Sequence, residues 1–109
     1  MNLDHIFEEI AAERKRQHEK WGEQNHLMRG KSLKNNRRKY PTDDFLSDFL
    51  LQCEGRNKTD KCGWFDILME EVCEAFLETD PKKQRAEMIQ VTAVAVQIIE
   101  YLDRRIHDD

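Results

Sequence analysis

The sequence predicts an all-α domain, and three observations carry that expectation. Apolar residues recur at three- and four-residue intervals in four separate segments. No segment keeps up the strict apolar–polar alternation of a half-buried strand. The glycines and prolines stand between the periodic segments or at their ends. At 109 residues the chain is sized for one domain, residues 1–109, and it contains no internal repeat.

The first helix is expected over residues 3–20, with Leu3, Ile6, Phe7, Ile10 and Ala11 at helical spacing and Asn2 or Asp4 as its cap. Its apolar stripe turns polar at Arg14, Gln17 and Trp21. Such a change fits either a pocket wall or a helix that outruns the body of the protein. Gly22 ends the helix, and residues 23–40 read as a loop. A loop of that length in a small domain is usually functional or disordered. The second helix follows Pro41-Thr42, with Thr42 as cap, carries Phe45, Leu46, Phe49 and Leu50, and is expected to stop at Gly55. A polar loop over residues 56–61 leads to a third helix over residues 63–79, with Trp64, Phe65, Leu68, Val72, Ala75 and Phe76 as its apolar set. Asp80-Pro81 pairs a capping side chain with a proline at the first helical position, so a fourth helix starts there and runs to about residue 105.

The hydrophobic fraction is 39% and the charged fraction 37%, which leaves a modest private core. Yet residues 88–102 are apolar around most of the helix, the pattern of a helix covered on every side. The other helices are too few to cover it. A homodimer or larger homo-oligomer is expected, with this helix in the interface. A net charge of −4 argues against a stable nucleic-acid partner. The basic run over residues 29–39 is a local exception, either a solvated loop or a contact for a polyanion such as a nucleoside triphosphate. The first ten residues are too polar for a signal peptide, and no apolar run reaches the ~20 residues of a membrane span, so no membrane partner is expected. Three cysteines, Cys53, Cys62 and Cys73, fit a reducing cytoplasm better than a disulfide framework, and no C-x2-C or H-x3-H pair suggests zinc. Cys73 reads as a small core residue.

The chemistry concentrates in carboxylates. Glu87 lies in the most apolar stretch of the chain and shares a helix face with Val91, Val94, Ile98 and Tyr101. A carboxylate there faces a large desolvation cost unless a cation, a hydrogen-bond network or a metal receives it. A salt bridge from Arg14 or Arg85 satisfies that need as well as a metal does. Upstream, Glu70, Glu71, Glu74 and Glu78 form an acidic stripe beside an apolar arc, which a solvated amphipathic face also produces. Ile67 falls in the middle of that stripe, so the side is not plainly solvent. Like charges three or four residues apart repel by roughly 0.2–0.5 kcal/mol per exposed pair. A divalent cation reverses that sign, and magnesium in particular seeks hard oxygen ligands and substrate phosphates.

Glu70-Glu71-x-x-Glu74, a twelve-residue spacer, then Glu87-x-x-Gln90 resembles the E-E-x-x-E, spacer, E-x-x-D signature of the all-α nucleoside triphosphate pyrophosphohydrolases of the MazG type. Glu13-Arg14-x-x-Gln17-x-x-Lys20-Trp21-Gly22-x-Gln24-Asn25-His26 and Trp64-x-x-Ile67-Leu68-x-Glu70-Glu71-Val72-x-Glu74-Ala75 are similar to a small MazG-like subgroup. The resemblance implies a four-helix bundle completed by oligomerisation, and magnesium-dependent hydrolysis of a nucleoside triphosphate to the monophosphate and pyrophosphate. It implies Glu71, Glu74 and Glu87 as metal ligands, with Gln90 in the fourth position, and Glu70 as a supporting or water-orienting group. Glutamine at position 90 offers a neutral carbonyl oxygen where the family has aspartate, one negative charge fewer. For the substrate, Lys20 is a candidate for the pyrophosphate, Trp21 for stacking on a base, and Gln17, Gln24 or Asn25 for reading its edge. Trp21 equally suits a core-closing role, and Gln24-Asn25 a turn. Two further readings stand beside the hydrolase: a non-catalytic nucleotide- or metal-binding relative, which Gln90 suggests, and a helical oligomerisation or partner-binding protein, which the apolar fourth helix suggests.

Overall fold

The structure is a computed structural model and describes residues 3–32 and 40–107. The described residues form four α-helices and no strand: α1 (Leu3–Trp21), α2 (Asp43–Asn57), α3 (Trp64–Leu77) and α4 (Pro81–His107). The all-α expectation therefore holds. Asn2, one of the two caps considered for α1, and residues 33–39 of the basic run lie outside the described residues.

Local chemistry sets most of the helix ends. Gly22 sits at φ +65°, the left-handed region where a Cβ is strained, and its N–H donates to the His18 carbonyl. Thr42 Oγ1 accepts from the Phe45 N–H and starts α2. At α3 the roles divide: Gly63 is the cap residue, and Asp66 reaches back to accept from the Gly63 N–H. Asp80 Oδ2 accepts from the Lys83 N–H ahead of Pro81. Three ends lie two residues from the sequence expectation, α4 running on to His107. α2 continues through Gly55 to Asn57, because Arg56 and Asn57 are both held by α3 and the helix gains more by continuing than glycine costs it. α3 stops at Leu77, short of residue 79, where Glu78 turns extended.

The chain divides into two compact units, Met1–Leu27 with Ile99–Asp109, and Met28–Ile98. In the first, Ile6 is buried, and it borders a small hollow with Ile10 and Ile99. The second unit is built on the α2–α3 hairpin. Cys53, Cys73 and Ala75 are fully enclosed in it, and Val94 and Val96 of α4 are also buried. Each valine contributes about 1.5–3 kcal/mol relative to an exposed position. Burial pushes both buried thiols above their ordinary value, so they behave as small hydrophobes, as expected for Cys73. Asp66 is 7% exposed and carries its charge because Arg56 Nε donates to it alongside the Gly63 N–H. Those two donors hold its carboxyl below the ordinary value. Phe49 packs edge-on to Phe65, with ring centroids 6.2 Å apart. Gln84 Nε2 donates to the Ala75 carbonyl and ties the start of α4 to α3.

The segment before α2 is clasped at its base. Arg29 donates to Asp43 and to the Pro41 carbonyl, and Ser32 Oγ accepts from the Tyr40 N–H. A Cβ at Gly30 would come within 2.5 Å of the Tyr40 ring, so a larger residue there would displace that ring.

Along α4 the apolar surface is only partly covered by the chain itself. Ile89, Leu102 and Ile106 are 55%, 47% and 66% exposed.

Candidate metal centre

α3 has two unlike faces. Met69, Val72, Cys73 and Phe76 line an apolar cavity of about 440 Å³, with Phe45 and Phe49 of α2 opposite. At about 100° per residue, Glu71 and Glu74 fall on the other side of the helix. There α4 brings Glu87 to them: one carboxylate oxygen from each of Glu71, Glu74 and Glu87 lies within 4.8 Å of the other two. All three residues are half-buried. Residues thirteen and sixteen positions apart in sequence thus meet at one point.

The cluster is electrostatically unsatisfied. Oε2 of Glu71 and Oε2 of Glu87 are buried and have no hydrogen-bond partner among the described residues. Within its own unit Glu87 has no ion pair among the described residues, to Arg85 or any other cation. Arg14, the other cation considered for it, donates to Gln17. Burial, then the charges of Glu70 and Glu87, push the Glu71 carboxyl above its ordinary value. Burial, followed by Glu71, Glu87, Glu70 and Glu54, does the same to Glu74.

These residues fit a hard divalent cation. The donors are anionic oxygens, with no thiolate or imidazole in the cluster, which suits magnesium better than zinc. Direct ligands on one magnesium stand about 3 Å apart when adjacent and about 4.2 Å when opposite. The three oxygens, within 4.8 Å of one another, are near enough for one ion to draw on all of them.

Glu70 stands beside the cluster rather than within it, half-buried, with Oε1 accepting from Asn57 Nδ2 at 3.4 Å. Gln90 is exposed, one turn along α4 from Glu87. The front residues form a group in the other unit. Gln17 and Gln24 line a polar hollow with Arg14 and His18, Gln17 accepting from Arg14. Lys20 Nζ lies 4.7 Å from the centre of the Trp21 ring, and Trp21 is 55% exposed, so it closes no core among the described residues of its unit. Asn25 donates to Glu23, the kind of turn contact considered for it.

Sequence reasoning missed the contribution of α2. Glu54 and Asn57, one turn apart, act on this face of α3: Glu54 through its charge on Glu74, Asn57 through Glu70. Their three-residue spacing places them on one face of α2, but no feature of the sequence says that this face meets α3. No family model matches the chain, and neither a curated protein nor a solved structure matches it.

Proposed function

We propose that the chain is a magnesium-dependent nucleoside triphosphate pyrophosphohydrolase of the MazG type, releasing nucleoside monophosphate and pyrophosphate. The observation that carries this reading is the meeting of Glu71, Glu74 and Glu87 with two buried oxygens left unpartnered. Those three side chains hold the cation, with Gln90 as a neutral fourth donor once its side chain turns inward. A magnesium ion held there would supply positive charge against the phosphates. Glu70 orients the attacking water and accepts its hydrogen bond. Among the front residues, Gln17 and Gln24 offer donors and acceptors for a base edge, with Lys20, Trp21 and Asn25 near them in sequence. The exposed apolar residues of α4 support a homodimer or larger assembly, and the free cysteines a reducing, cytoplasmic setting. Among the described residues no helix is long and apolar enough to cross a membrane.

The second reading, a nucleotide- or metal-binding relative without turnover, draws on Gln90 alone. A panel of nucleoside triphosphates, scored for pyrophosphate release with and without magnesium, separates the two. Magnesium-dependent release supports the hydrolase. Saturable nucleotide quenching of tryptophan fluorescence without release supports the second reading.

A further inference from the structure

Asn57, the last residue of α2, makes more contacts than a helix staple requires. Its Nδ2 donates to the Asp66 main-chain carbonyl at 3.3 Å and to Glu70 Oε1 at 3.4 Å. The first bond alone ties α2 to α3. The second falls on the carboxylate adjacent in sequence to Glu71, and among the described residues Glu70 has no ion pair to orient it. The amide orientation follows from chemistry, because turning it over would set Oδ1 against two acceptors. In the orientation present, Oδ1 is buried without a partner among the described residues. A buried acceptor of this kind is ordinarily satisfied by a water.

We propose that Asn57 is a positioning residue: its amide N–H group fixes the Glu70 carboxylate in the orientation that receives the attacking water, and its carbonyl oxygen accepts from a water of the same site. The inference rests on the hydrolase reading above and adds α2 as a wall of that site. Asn57 touches neither substrate nor ion. Its effect passes through Glu70.

A double-mutant cycle on turnover tests it. Asn57→Ala lowers kcat about tenfold or more and changes KM by less than about twofold, as loss of an outer-shell partner does. In a Glu70→Gln background the same substitution costs no further turnover, because the group it positions is already gone. An equal loss in both backgrounds makes Asn57 a purely structural staple and overturns the inference, as does unchanged kcat. Melting curves identify a variant that has lost its fold. Asn57→Asp then replaces Asn57→Ala: it keeps size and acceptor but lacks the donor, and full activity in it also overturns the inference. A wild-type protein without magnesium-dependent turnover removes the hydrolase reading and this inference together. Active wild type with indifferent Asn57 variants removes this inference alone.

Discussion

Replacing Glu87 by glutamine removes one charge from the carboxylate cluster and keeps the shape of the side chain. Glu87 faces Glu71 and Glu74 with carboxylate oxygens within 4.8 Å. At that distance two unit charges repel by about 3.5 kcal/mol in an effective dielectric of about 20. The groups are half-buried, so solvent screens part of this repulsion, and the side chains can rotate apart. The net relief in Glu87→Gln is therefore about 1–2 kcal/mol, a rise in melting temperature of roughly 4–10 °C in metal-free buffer. Magnesium reverses the ranking. At a hundred times its Kd it stabilises the wild type by about 2.7 kcal/mol, whereas the variant gains little, and its turnover falls to background. Thermal unfolding with chelator and with magnesium reads both effects in one experiment. A Glu87→Gln variant that melts lower than wild type without metal would show that Glu87 is held by a cation. An undiminished magnesium response in it would place the ion elsewhere.

Three further outcomes are expected. Gln90→Asp returns a negative charge one turn from Glu87 and tightens magnesium binding in calorimetry; unchanged or weaker binding would show that this position does not reach the ion. Metal-free stability depends on pH in a defined direction. Because Glu71 and Glu74 have folded-state values raised above the ordinary 4.5, the folded state binds more protons than the unfolded state as pH rises past 4.5, and stability falls through that window. Glu54, Glu70 and Glu87 share the field, and saturating magnesium abolishes the fall; a metal-free stability that climbs across the same range contradicts the cluster. Asp66→Asn has the opposite signature. Its carboxyl is depressed below the ordinary 3.8, so its contribution is present above that value and lost as pH falls through the folded-state value. The variant's deficit in denaturant midpoint is greatest near neutrality and shrinks in acid; a deficit independent of pH would assign Asp66 a packing role only.

The features legible in the sequence are those set by neighbours in the chain. Thr42 and Asp80-Pro81 announced their helices because a cap acts over three residues. The grouping of Glu71, Glu74 and Glu87 came from the resemblance of the motif, since helical spacing alone puts Glu71 and Glu74 on a stripe that a solvated face also produces. Gly55 misled because glycine lowers helix propensity only modestly, and contacts from Arg56 to Asp66 and from Asn57 to Glu70 outweigh it. The role of α2 was illegible for the same reason. Glu54 and Asn57 look like the polar end of an amphipathic helix until the hairpin closes, and nothing in their spacing says which neighbour they meet. For Glu87 the sequence left a cation and a metal equally open, because spacing along a helix does not say which groups a neighbouring helix brings; among the described residues of its own unit no cation pairs with it.

The central claim is that two helices bring acidic oxygens together around a divalent ion. Crystals grown with manganese in place of magnesium test it most directly. The account predicts an anomalous peak bounded by the Glu71, Glu74 and Glu87 carboxylates. Electron density with those side chains turned apart and no peak between them would contradict it.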